Sequence, residues 1–352
     1  MHKKDMGLAV LIIIVGAVVY LRNPLFLSPI NLGNTANLIG LFGLFAIGQG
    51  FVIMTGGIDL SVGSMIALLG VIFVDMVGKF GVPWPLAVLI TIGLGAVLGL
   101  AHGLLITRLK MQPFVVTLCG LLIYRGVARG YTGEATAGFP FGASYPELEW
   151  LTTGRSFGIP HSFLALLLVG VVAWFVLHRS VFGRHLYAVG KNEDAARYSG
   201  VRTSAVITGA YVISAVLAAV AAVYFAMFTK SVQPSSHGNF YELYAIAAAV
   251  LGGFSLRGGE GSIIGVILGA VLLQELQNLV NLLGIPSSLN FAVMGAVILA
   301  GVLADQQFNR YRERRRAQQA LETLNRETAR NTPDRTPVPQ EPPSSPDAFR
   351  SN

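Results

Sequence analysis

Asp59 is the most notable acid in the apolar part of this 352-residue chain. An ionisable side chain at membrane depth is a functional candidate, because a charge taken out of water needs a partner or a purpose. Asp59 also follows Gly56-Gly57-Ile58 and opens an apolar run, where an aspartate serves well as a helix N-cap. The two roles are compatible, since a capped helix start beside broken backbone can line a translocation path. Farther along, Gln274, Asn278 and Asn281 are spaced by four and then three residues, which puts them on one helix face. Uncharged amides offer donors and acceptors without net charge, as solute hydroxyls require. They also bridge neighbouring helices in membranes, and both readings stay open. Gln49 joins these path candidates; for it and for His102, another lone polar residue in an apolar helix, a packing hydrogen bond is the simpler expectation.

Several other chemistries find no support. The six histidines, at 2, 102, 161, 178, 185 and 237, show no paired helical spacing, and the single Cys119 can build neither an intrachain disulfide nor a thiolate site, so no metal is expected. No Gly-x-x-x-x-Gly-Lys-[Ser/Thr] run occurs, so the chain is expected to hold no cofactor and to hydrolyse no ATP itself. The net charge of +7 is spread along the chain without a concentrated basic field, which argues against a nucleic-acid partner.

One polar connection contains a complete short helix. Asn192 is a favoured N-cap, Glu193 and Asp194 put negative charge at the positive helix end, and Gly200 can take the left-handed conformation that stops it. So short a helix is unstable alone in water, so something must hold it. Ala195, Ala196 and Ser199 supply a small-residue face, while Arg197 and Tyr198 offer a charged fork and an aromatic anchor. It either docks a partner or rests on the ends of its own bundle.

The elements that must position these residues are apolar. Hydrophobic residues make up 53% and charged residues 12% of the chain, and the 48 residues from 305 onward hold nine Arg and seven acids of that charged set. A bilayer core takes about 20 mostly apolar residues per helix. Ten such stretches are expected, near 6–21, 37–55, 60–78, 84–106, 113–130, 161–178, 204–228, 240–253, 262–283 and 286–303. Segment 240–253 is short and 113–130 carries Arg125 and Arg129, so either is a candidate for a partial or re-entrant helix. The first stretch is read as an uncleaved helix, because no small-residue cleavage site follows it. With both termini in the cytoplasm, Lys3, Lys4, Arg108, Lys110, the basic 179–203 connection, Arg257 and Arg310–Arg316 all fall inside. The fold expected is an all-α polytopic membrane bundle over 1–304, followed over 305–352 by a cytoplasmic basic stretch and a disordered tail.

Glycines recur every fourth residue at Gly95, Gly99 and Gly103 and again at Gly261, Gly265 and Gly269, as close helix seams require. Gly56-Gly57-Ile58-Asp59-Leu60 and Gly252-Gly253-Phe254-Ser255-Leu256 share Gly-Gly-x-x-Leu, so a pseudo-repeat of two related halves would explain both coincidences.

The run Gly183 to Gly200, of form Gly-Arg-x-x-Tyr-Ala-x-Gly-x-Asn-x-x-Ala-Ala-Arg-x-Ser-Gly, resembles the cytoplasmic loop of ribose-type permease subunits of ATP-binding-cassette importers, within the branched-chain amino acid/ribose permease superfamily. Thr55–Ser64, Gln112–Leu118, and Leu251-Gly252-Gly253 with Gly258–Ser262 agree in order and spacing across 37–304. The resemblance implies a permease in the cell (inner) membrane that moves a monosaccharide or similar polyhydroxylated solute. It implies three partners: a second permease subunit, identical or related; a cytoplasmic ATP-binding subunit, where ATP and Mg would reside; and a periplasmic or extracellular sugar-binding protein. It marks Gly190, Asn192, Glu193, Ala195, Ala196, Arg197, Ser199 and Gly200 as the ATPase-coupling element. The long tail beyond Arg316 departs from the compact ending expected of the family.

An ion-coupled secondary transporter using Asp59, Glu242 or Glu275 is the main rival. A membrane enzyme on lipid-linked sugars would need a carboxylate cluster or metal set that the sequence lacks. The aromatics and carboxylates of Gly138–Trp150 suit either an interface belt or a docking protein outside the cell.

Overall fold

The computed structural model describes residues 3–284 continuously, with scattered positions between 286 and 318. The expected tenth span at 286–303 and the tail at 305–352 fall outside the continuously described residues. The chain divides into two units, Met1–Val302 and Leu303–Asn352. Among the described residues the first unit forms α1 (Lys3–Arg22), α2 (Pro29–Met54), α3 (Val62–Gly78), α4 (Trp84–Thr107), α5 (Pro113–Thr132), α6 (Pro146–Thr153), α7 (His161–His178), α8 (Val181–Lys191), α9 (Glu193–Tyr198), α10 (Thr203–Thr229), α11 (Tyr241–Leu251) and α12 (Ile263–Leu282).

Nine of these helices coincide with expected spans, and seven are long and apolar enough to cross a bilayer; α3, with 17 residues, and α11, with 11, are shorter. The 113–130 segment is therefore not re-entrant. It is the continuous 20-residue α5, and Arg125 is accommodated because it reaches carbonyls of a neighbouring loop. The partial helix is α11.

Helices α2 and α10 form the centre. Of their most apolar windows 83% and 67% of residues are buried, against 11% for α1, which packs chiefly on α12. Helix α10 packs most extensively on α4, then on α2 and α3. The α4 seam is as expected: a Cβ on Gly99 would stand 2.6 Å from the Tyr211 carbonyl oxygen of α10, and one on Gly103 would stand 2.6 Å from Thr208. In the second seam Gly265 lies on the Gly252 carbonyl and Gly269 on that of Ala248, joining α12 to α11. Gly261 is not part of this seam, because α12 begins only at Ile263, where Ser262 accepts the Gly265 amide at 3.2 Å.

One end of the bundle gathers residues 55–58, 107–113, 179–202 and 254–262. Thr107 meets Thr208 at 3.3 Å, Thr117 donates to the Ile58 carbonyl, and Gly259 N–H donates to the Met54 carbonyl at 2.9 Å. This end carries Arg108, Lys110, Arg179, Arg184, Lys191, Arg197, Arg202 and Arg257. The opposite end joins the longest loop, 133–160, to the segment after α10. There β1 (Ala137–Gly138) pairs antiparallel with β4 (Ser231–Val232), and Lys230 pairs with Glu149 at 2.6 Å. A second two-stranded ribbon, β2 (Arg155–Ser156) with β3 (Ile159–Pro160), leads into α7.

Candidate translocation path and coupling surface

Helix α2 stops at Met54 because Thr55 is followed by Gly56 at φ +80° and Gly57. The chain then runs back beside α2 as broken backbone. Buried Gln49 matches this stretch with both ends of its amide, donating to the Asp59 carbonyl at 3.2 Å and accepting the Asp59 N–H at 3.1 Å in the orientation that satisfies both. The Asp59 carboxylate, fully buried, accepts the Ser61 N–H at 2.9 Å and the Ser61 hydroxyl at 2.6 Å, and its other oxygen faces the Ser214 hydroxyl of α10 at 3.5 Å. Asp59 is thus not itself the cap of α3. Ser61 occupies the cap position, and Asp59 fixes it from two residues upstream, a local aspartate turn that competes with direct capping. Behind this break, His102 and Tyr124 share a 2.8 Å hydrogen bond, the packing role expected of His102.

A second break lies between α10 and α11. Arg125 donates to the carbonyls of Pro234 at 2.9 Å and His237 at 2.6 Å. Arg125 lies seven residues before the end of α5, so the loop it holds reaches below that end. The two breaks meet: Gly63, near the start of α3, packs directly on the Gly238 carbonyl, with the Glu242 carboxylate beside them. Discontinuous helices facing one another inside a bundle are the arrangement that transporters use for solute sites. Above the junction Phe42 and Phe45 of α2, Phe225 of α10 and Tyr241 of α11 form one ring cluster, with Tyr241 4.9 Å from Phe42, 4.9 Å from Phe225 and stacked 5.6 Å from Phe45.

The structure brings Asp59 and Gln49 together and leaves the α12 amides apart from them. Asn278 bonds Asn31 and Thr35 of α2 at 2.8 and 2.6 Å, the interhelical reading of that residue. Asn281 is exposed, whereas Gln274 is buried, with an Oε1 that finds no partner among the described residues. Sequence reasoning missed the paired carbonyls held by Arg125, and the ring cluster. Arg125, an arginine within an otherwise apolar segment, signalled the former; nothing local signals rings that converge from three helices.

The basic end carries the expected short helix. Asn192 caps α9 by accepting the Ala195 N–H at 2.9 Å, and Gly200 ends it at φ +84°. The helix rests on its own bundle through Ala196, which is buried, while Ala195, Arg197, Tyr198 and Ser199 are exposed. Arg197 is engaged within the helix, 2.9 Å from Glu193 and 3.5 Å from Asp194, whereas Tyr198 stands 92% exposed. Helix α8, which sequence reasoning did not separate, precedes α9 and buries Leu186 and Val189.

The family model described as "Branched-chain amino acid transport system / permease component" matches residues 31–302, spanning both breaks, α8 and α9. The chain belongs to this permease family. The permease is 41% identical to a ribose import permease protein of Bacillus subtilis over 86% of its own length and 91% of the relative's. It is 37% identical to that of Escherichia coli, over 87% and 94% of the two chains. A xylose transport system permease protein of Haemophilus influenzae is 31% identical, over 80% and 90%. No solved structure matches. The permease is accordingly a multi-pass membrane transport subunit.

Proposed function

We propose that this permease subunit admits a monosaccharide or similar polyhydroxylated solute to the cell, driven by ATP hydrolysed in a separate cytoplasmic subunit. The observation that carries this reading is α9: a capped helix, held through Ala196 and offering Tyr198 outward, in a chain like ribose import permeases along most of its length. The basic end faces the cytoplasm, following the excess of Lys and Arg on inner loops, and the N-terminus lies on the same side. Gly190, Asn192, Glu193, Ala195, Ala196, Arg197, Ser199 and Gly200 shape the coupling element. Asp59 and Gln49 hold the break that lines the path, while on α12 Gln274 carries a buried acceptor without a partner among the described residues and Asn278 and Asn281 serve packing and rim. A second permease subunit completes the path, and a sugar-binding protein delivers solute to the loops around Trp150.

Uptake of labelled ribose or xylose into proteoliposomes tests the reading. Uptake should require the ATP-binding subunit, the binding protein and ATP. Uptake by this chain alone, driven by a proton gradient, would overturn it in favour of ion-coupled transport. Tyr198→Ala should weaken capture of the ATP-binding subunit by about tenfold, the cost of one desolvated aromatic anchor; unchanged capture would move the docking site elsewhere.

A further inference from the structure

The last turn of α8 is joined to the interior of the bundle almost without side chains. Gly190 lies so close to the Met54 carbonyl at the end of α2, and to the Gly259 amide, that a Cβ there would land on both. A Cβ on Gly258 would in turn stand 2.9 Å from the Gly190 carbonyl oxygen. Gly258 and Gly259 hold left-handed φ values of +83° and +69°, so neither side of the contact tolerates a larger residue. One turn before Gly190, the Tyr187 hydroxyl donates to the Gly261 carbonyl at 2.7 Å and lies 3.3 Å from His178 Nδ1 of α7. Lys191 and Glu260 also pair at 2.6 Å, but both are more than half exposed, and such a pair contributes little.

The segment held in this way, 252–262, connects α11 to α12. Helix α11 begins where the two breaks meet and carries Tyr241 of the ring cluster. A contact between backbones has no rotamer to absorb displacement, and close-packed interiors transmit strain rather than damp it. We infer that Tyr187 and Gly190 form a latch through which movement of α9 is passed to the 258–261 segment and so to α11. They are positioning residues, acting through α11 on the path. This inference rests on the proposed coupling role of α9, and it adds the route by which work received there reaches the solute.

The test uses the complete transporter in proteoliposomes, with three readouts: retention of the ATP-binding subunit, ATP hydrolysis stimulated by the loaded binding protein, and solute moved per ATP. Tyr187→Phe should leave retention and hydrolysis intact and lower solute per ATP by about fivefold, the factor corresponding to one net hydrogen bond. Gly190→Ala should lower the ratio further, and Lys191→Ala should leave it unchanged. If Gly190→Ala fails to fold, Tyr187→Phe decides alone. A Tyr187→Phe ratio equal to that of the unaltered protein, with the subunit retained, overturns the latch. Absence of ATP-dependent uptake by the unaltered complex instead overturns the functional reading beneath it.

Discussion

Gln49 commits both ends of its amide to the backbone of Asp59 and so helps to fix the first break. Gln49→Leu keeps the volume but leaves a buried N–H and C=O unpaired, so it should destabilise the folded permease by about 1–3 kcal/mol. A lower unfolding midpoint in detergent checks this, and an unchanged midpoint would mean that water replaces the amide. Phe157 presents the opposite situation. It sits at φ +53°, followed by Gly158 at +81°, in the tight turn between β2 and β3, where Asn-Gly is the favoured pair. Phe157→Asn should therefore raise stability by about 1 kcal/mol, the lower estimate for relieving a bulky left-handed residue. At this scale Asp59 stood out in the sequence, because a lone acid in an apolar stretch is visible in one dimension. The amide that holds it was legible only as a residue type, since ten positions separate Gln49 from Asp59 and a helix end intervenes.

Helix α4 offers an internal comparison between two of its glycines. Gly99 faces α10 at 2.6 Å from a carbonyl oxygen, whereas Gly93 faces open space. Gly93→Ala should be neutral or stabilising by up to about 1 kcal/mol through helix propensity, while Gly99→Ala should destabilise by separating the helices. Unfolding midpoints of the two variants that moved together would refute the seam. The nine corresponding helices were legible because long apolar runs broken by Pro, Gly and charges leave few alternatives in a bilayer. The shared Gly-Gly-x-x-Leu pattern was legible only in part. The left-handed residue is the first glycine of the pair after α2, Gly56, but the second after α11, Gly253, so the two motifs correspond with a shift of one.

Across the whole molecule, loops distant in sequence are tied at the end opposite the coupling surface. Lys230 holds the Glu149 carboxyl below the usual glutamate range, chiefly by direct hydrogen bonding. Because folding lowers that pKa, the tie is complete above the ordinary value of about 4.3 and is lost as pH falls through the lower folded value. Amide exchange over Pro146–Thr153, corrected for intrinsic rates, should thus rise under acid conditions in the native protein and lose this dependence in Lys230→Ala. Such ties, like the meeting of Gly63 with Gly238, were not legible, because they join segments whose separate patterns carry no mark of each other. The ring cluster of Phe42, Phe45, Phe225 and Tyr241 shares that origin, and it bears on the permease at rest. Rings packed 4.9–6.3 Å from one another leave no gap for a hydrated ion between them, so on the proposed path they would keep an idle copy electrically tight.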